Sequence, residues 1–180
     1  MRILAISGSL RTRSFNTAAL QASVVLAPAG LEIVLYAGLG HLPHFNPDRD
    51  TDEPPESVKA FRREIESSDG LLLAAPEYAH GIPGALKNAL DWLVSCIEFP
   101  DKPVALINAS QRATHAQDHL REILATMSAR LIDRASITLP LMGRNLDAAG
   151  ILADPELSGQ LQAALVIFVT EIRTLKAVTT

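Results

Sequence analysis

The sequence predicts an α/β protein: a doubly wound sheet of five parallel strands in the order 2-1-3-4-5, with helices on both faces. Three observations carry that prediction. Strand-like and helix-like patterns alternate along the chain, and such alternation implies a parallel sheet with right-handed crossover helices. Segments 70–75 and 103–109 are apolar runs without period-two alternation, as strands covered on both faces must be. The chemically rich loops follow the first, third and fourth strand patterns, which are neighbours in this order. Ligands of such sheets sit beyond the carboxyl ends of the strands, where the strand order reverses.

The first strand is read at 2–7, short and apolar, and ended by Ser7-Gly8. A helix follows at 15–27, with Ala18, Ala19, Leu20, Val24 and Leu26 available for packing, and Pro28 and Gly30 stop it. The second strand is 31–36. Residues 37–57 form a long loop dense in Gly, Pro, Asp and Asn, and such loops in a compact domain are more often functional than idle. Pro54-Pro55 opens a helix at about 55–68, with Val58, Phe61 and Ile65 at helical spacing. After the third strand and the segment Pro76 to Gly84, a helix is read from Ala85 to Ile97. The fourth strand leads to a helix at 114–128, a less apolar fifth strand at 131–138, a loop at 139–153 and a last helix at 155–174.

The 180 residues suffice for one domain spanning 1–180 with a large core. A hydrophobic content of 48%, with 20% charged residues, is that of an ordinary globule. The net charge of −4 weighs against a nucleic-acid partner. A single cysteine, Cys96, rules out an internal disulfide and suits a reducing compartment. It falls in an amphipathic helical pattern, which makes it a buried, inert thiol. The chain enters a strand pattern directly from Met1, without the apolar stretch of a signal peptide. Its longest apolar run near the C-terminus, 163–169, is short of a membrane span. A soluble, cytoplasmic protein without a membrane partner is expected.

The first loop, Gly8 to Thr17, runs from a strand into a helix. A helix N-terminus offers unpaired N–H groups and the positive end of a dipole, and so favours an anion. Ser9, Ser14 and Asn16 are candidate phosphate donors, Arg11 supplies charge, and Arg13 reads as a solvated surface arginine. A plain N-cap at Ser14 or Asn16 is the other reading. No Gly-Lys-Ser/Thr follows at Walker A spacing, and no Gly-x-Gly-x-x-Gly is present. A mononucleotide phosphate is therefore preferred over ATP or a dinucleotide.

In the second loop Pro76 and Pro83 stiffen the ends, while Gly81 and Gly84 permit close approach to a flat ligand. A row of backbone N–H groups at 78–81 suits the polar edge of a planar heterocycle. Tyr78 either stacks on a ligand or packs within the loop. Glu77 either fixes loop geometry or meets a neighbouring subunit. The third loop begins Ser110-Gln111-Arg112. His80, Asp91, His115 and His119 raise hydrolysis, but no Gly-x-Ser-x-Gly elbow exists. His41, His44, Asp48, Asp50 and Asp52 lack a recognised ligand spacing, so no metal is assigned.

Two motifs together resemble the flavodoxin-like NAD(P)H-dependent FMN reductases, with their quinone, azo and chromate reductase relatives. Gly8-Ser9-Leu10-Arg11-Thr12-Arg13-Ser14-Phe15-Asn16 is similar to that family's phosphate loop. Pro76-Glu77-Tyr78-Ala79-His80-Gly81-Ile82-Pro83-Gly84, continuing through Leu86, Lys87, Asn88, Ala89, Asp91 and Trp92, is similar to its flavin-ring segment. The likeness runs to about residue 138. Ala79 stands where the family has asparagine, and residues 110–116 depart from its usual Gly-Gly-x-Arg-Ala.

The resemblance implies a flavodoxin-like fold and non-covalent FMN. The phosphate would lie on Ser9, Arg11, Ser14, the Phe15 backbone and Asn16. The ring would lie along Pro76, Glu77, Tyr78 and Ala79, with Ser110 closing the site. Lys87, Asn88, Asp91 and Trp92 match a helix that contributes to a dimer contact, so a dimer or tetramer is expected. The implied activity passes hydride from NADPH or NADH through FMN N5 to a small electron acceptor (a quinone, flavin, azo compound or metal oxyanion), in ping-pong fashion and with no catalytic side chain. The alternatives are a flavodoxin-type electron carrier and a non-catalytic small-molecule-binding domain. An arginine in the phosphate loop and an aromatic content of 4% weigh against the carrier.

Overall fold

The computed structural model describes residues 1–179. The elements, in chain order, are β1 (Arg2–Ser7), α1 (Phe15–Val25), β2 (Glu32–Leu35), α2 (Glu56–Glu66), β3 (Gly70–Ala74), α3 (Gly84–Asp91), β4 (Pro103–Asn108), α4 (Thr114–Thr126), β5 (Arg130–Leu131), β6 (Ile137–Thr138), α5 (Ala148–Ala153) and α6 (Pro155–Thr179). The sheet runs β2-β1-β3-β4, with β5 and then β6 pairing the outer edge of β4, and every pairing is parallel. The expected order 2-1-3-4-5 holds.

Alternation within the central strands divides the core between two faces. Ile3, Ala5, Leu72, Ala74, Ala105 and Ile107 point to one face, where Ala18, Ala19 and Ala22 of α1 and Leu161, Leu165, Phe168 and Ile172 of α6 cover them. Leu4, Ile6, Leu71, Leu73, Val104 and Leu106 point to the other, beneath Phe61, Ile65, Leu86, Leu90, Leu120 and Leu124. Both faces are dry, which is why these strands read as unbroken apolar runs. At Gly70 an added Cβ would lie 3.0 Å from Ile172 and 3.1 Å from Phe168, so the absent side chain lets α6 sit tightly on β3. The register aligns Ser7 with Ala74 and Ala74 with Ile107. The loops after β1, β3 and β4 therefore leave the sheet at one level.

The structure corrects three readings. The expected fifth strand at 131–138 is broken. Leu131 pairs with Val104 and Ile137 with Ile107, so the outer chain loops out through a 3-10 turn at Asp133–Ala135. Ser136 makes the break tolerable: its Oγ accepts from Leu106 N at 3.1 Å and donates to the Ile132 carbonyl at 3.1 Å. Next, α3 stops at Asp91 instead of Ile97, because the Arg62 guanidinium takes the Trp92 carbonyl from Nε and Nη2 at 3.0 and 2.6 Å. Cys96 therefore lies in the turn beyond the helix. It is buried, and burial, with Glu98 next in effect, pushes its thiol up to about 11.

The loop expected at 139–153 contains α5, whose Asp147 caps Gly150 N at 2.8 Å. On α3, Asn88 and Trp92 bond within their own chain. Trp92 is fully buried, donates from Nε1 to the Pro43 carbonyl at 2.8 Å, and meets Phe45 edge-on. Asn88 accepts from Phe45 N at 2.7 Å and donates to Pro43 at 3.0 Å. These bonds staple the 37–55 loop to α3, so the Asn88 amide and the Trp92 indole are engaged within the chain. Lys87 and Asp91 pair with each other at 2.5 Å on the helix surface.

Candidate functional site

A cavity of about 330 Å³ opens at the carboxyl ends of β1, β3 and β4, within the usual size range of a small-ligand site. Its walls come from three loops and from one residue, Met142, of the segment after β6.

The loop after β1 is anchored from below. Gly8 N donates to the Ala74 carbonyl at 2.8 Å, and an added Cβ there would come within 3.1 Å of Leu86 and 3.3 Å of Ala75. Glycine thus lets the loop pass close over β3. Ser7 Oγ and Thr17 Oγ1 bond at 2.8 Å and tie the strand end to the helix start. Ser14 is the N-cap of α1, accepting from Thr17 N at 3.3 Å. That bond serves one amide of the first turn and leaves those of Phe15 and Asn16, and no acidic residue stands in that turn. Ser9, Arg11, Ser14, Phe15 and Asn16 all line the cavity. Asn16 is 7% exposed, and its Oδ1 is buried without a partner. An unpaired buried polar atom is costly, and Asn16 carries one in the wall of the cavity. Arg13 is exposed and outside the lining.

The loop after β3 brings Pro76, Glu77 and Tyr78 to the cavity. Tyr78 is 49% exposed, so it does not pack into the loop. Tyr78 and Gly81 exchange backbone bonds of 3.0 and 2.9 Å, while Ala79 (φ 48°) and His80 (φ 59°) take the left-handed conformation between them. Two central residues with positive φ make a tight hairpin turn of the primed kind. This corrects the expected row of donors at 78–81, since the Tyr78 N–H donates to the Gly81 carbonyl and the Gly81 N–H to the Tyr78 carbonyl. Ala79 lies at the tip and outside the lining.

Glu77 fixes the loop. Its Oε2 accepts from Ala116 N in the first turn of α4 at 3.0 Å, and its Oε1 lies 3.2 Å from His80 Nδ1. The Ala116 bond, above all, holds the Glu77 carboxyl below the usual range; burial opposes it, and His115 and His80 add to the lowering. The His80 and His115 rings meet edge-on at 4.4 Å. The second and third loops are thus clamped together through one carboxylate.

The loop after β4 supplies Ser110, as expected, together with Asn108, Ala109, Arg112 and Ala113. Buried Asn108 shapes it, accepting from Ser110 N at 3.0 Å and donating to the Ala113 carbonyl at 3.4 Å. An asparagine closing an otherwise apolar strand was the signal for this residue. Ala75 and Met142 also line the cavity, and nothing local in the sequence marks Met142. No residue of the 37–57 loop lines it. Among the described residues no three His, Cys, Asp or Glu side chains are grouped to hold a metal ion.

Comparison with known proteins follows the same line. Residues 1–141 match the family model of NADPH-dependent FMN reductases. An NAD(P)H-dependent FMN reductase of Pseudomonas aeruginosa is 36% identical, covering 96% of this chain and 97% of its own. A 2-hydroxy-1,4-benzoquinone reductase of a Burkholderia species is 34% identical, covering 90% and 91%. Among solved structures, FerB, a flavoenzyme NAD(P)H:(acceptor) oxidoreductase from Paracoccus denitrificans, superposes with a TM-score of 0.84 at 31% identity, covering 96% and 97%.

Proposed function

The chain belongs to the NADPH-dependent FMN reductase family, and we propose that residues 1–180 form one unit that holds FMN in this cavity and passes electrons from NADPH or NADH to a quinone. The observation that carries the reading is the α1 end of the cavity. There Asn16, the first-turn N–H groups of α1 that the Ser14 cap leaves free, and Arg11 line the same end of the cavity, a set of donors suited to a phosphate.

The chemistry FMN supplies when bound is two-electron transfer between a nicotinamide and an acceptor. The residues of this chain bind and orient. Ser9, Arg11, Ser14, Asn16 and the Phe15 backbone hold the phosphate. Pro76, Glu77 and Tyr78 form the edge along which the ring lies, Ala79 turns the chain at its tip, and Ser110 closes the β4 side. The half-exposed Tyr78 ring offers a flat apolar wall with a polar tip. Glu77, bonded to Ala116 N, keeps that edge at a set distance from α4. No side chain serves as nucleophile or general base. One open side receives nicotinamide and acceptor in turn, which gives ping-pong kinetics.

The quinone assignment draws on the Burkholderia relative. A cytoplasmic dimer or tetramer completes the reading, with the exposed Val94 and Ile97 beyond α3 as its apolar surface. No described helix is long and apolar enough to cross a membrane.

The test is spectroscopic. Purified protein titrated with FMN should perturb the flavin bands and quench its fluorescence. Anaerobic NADPH or NADH should then bleach the bound flavin, and a quinone should restore its colour. Flavin that stays oxidised with both nucleotides would sink the reductase reading.

A further inference from the structure

The charge on the cavity walls does not balance. Arg11 stands on the loop after β1 and Arg112 on the loop after β4, and both line the cavity. Among the described residues no carboxylate lies within ion-pair distance of either arginine. The acidic residue of the lining is Glu77, and its two oxygens already meet Ala116 N and His80. Both arginines are exposed, and much of the remaining wall is apolar, including Ala75, Pro76, Ala109, Ala113 and Met142, so the guanidinium groups are the charged donors the wall offers an anion.

FMN carries a single phosphate. On the reading proposed above, on which this inference rests, that phosphate sits at the N-terminus of α1 beside Arg11. β3 lies between β1 and β4, so the strands bearing the two arginines are about 10 Å apart, two strand spacings. Arg112 thus stands at the far wall, with Ser110, whose Oγ accepts from Arg112 N at 3.2 Å and fixes the backbone from which the side chain projects.

We infer that Arg112 determines specificity by anchoring an anionic group of the second ligand to enter the cavity. That group is either a phosphate of the pyridine nucleotide or an anionic substituent of the electron acceptor. The guanidinium fork suits both, because it bonds two oxygens of a planar or tetrahedral oxyanion at once.

The experiment uses the FMN-loaded protein. Wild type, Arg112→Ala and Arg112→Lys are first titrated with FMN, then assayed with NADPH and NADH against two naphthoquinones, one neutral and one bearing a sulfonate. If the acceptor supplies the anion, Arg112→Ala lowers the ratio of kcat/KM for the sulfonated over the neutral quinone by about 10- to 100-fold, the range for one lost hydrogen bond to a charged group. If the nucleotide supplies it, the KM for NADPH or NADH rises by that factor and the quinone ratio holds. In either case Arg112→Lys recovers part of the loss, because it keeps the charge and loses the fork. All ratios and KM values within twofold of wild type would overturn the inference. So would a loss confined to the FMN dissociation constant, which would place Arg112 on the cofactor instead. A wild-type protein that binds no FMN would break the underlying reading at the titration, before Arg112 is tested.

Discussion

The loops after β1 and β3 border the same cavity and are built in opposite ways. The first keeps polar groups in reserve. Its cap serves one amide of the helix end, its asparagine has an oxygen without a partner, and its arginine faces no carboxylate. The second uses its polar groups on itself. Tyr78 and Gly81 bond to each other, Glu77 bonds to α4, and two residues sit in a left-handed turn. The lesson is a division of labour. On the function proposed above, one loop offers unsatisfied polarity to a phosphate, and the other presents a rigid shape against which a ring can lie.

This contrast can be broken at either side. The largest expected effect is at Arg11. Arg11→Ala should weaken FMN binding by about 1.5–3 kcal/mol, the worth of a hydrogen bond to a charged group. Fluorescence titration checks it, and unchanged affinity would make Arg11 surface decoration. Asn16→Ala should cost FMN binding about 1 kcal/mol while leaving the melting temperature of the FMN-free protein unlowered, because its amide oxygen has no partner inside the chain. A drop in that melting temperature matching the binding loss would instead make Asn16 structural.

The β3 loop should respond to pH. The folded-state carboxyl of Glu77 lies below its ordinary 4.5. Its clamp on Ala116 is therefore fully present above that ordinary value and is lost as pH falls through the lowered one. FMN release on acidification should show a step in that window, followed by flavin fluorescence, and Glu77→Gln should abolish the step. A step unaltered in the variant would remove Glu77 from the explanation. The smallest effect is at the tip. Ala79 holds φ 48°, a conformation that costs residues other than glycine or asparagine. Ala79→Gly should stabilise the protein by about 1 kcal/mol, raising Tm by about 2–4 °C. Calorimetry that shows a lower Tm would mean the turn is not strained.

How far the fold was legible depended on locality. β1, β3 and β4 announced themselves because a strand covered on both faces is apolar at every position. The outer edge did not, because Ser136 supplies from its side chain the bond to Leu106 that a continuous strand would have made. The apolar spacing of α3 carries on through Leu93, so nothing local marks its end. The stop comes from Arg62, 30 positions away in sequence from the Trp92 carbonyl it binds. At the site, Ser9, Arg11, Ser14 and Asn16 were picked out by loop chemistry and line the cavity, whereas Tyr78 had two equal readings in the sequence and lies half exposed on the cavity wall.

By itself the sequence determined the parallel sheet, its strand order and the two loops whose residue types suit a phosphate and a flat ring. Period, turn chemistry and helix-end polarity are properties of neighbouring residues, and they survive without a fold. Only the tertiary structure decided that Asn88 and Trp92 turn inward, that Glu77 reaches α4, and that Met142 joins the cavity. It also set Arg112 across from Arg11. Each of these depends on which distant backbone comes to lie alongside, and packing alone selects that neighbour.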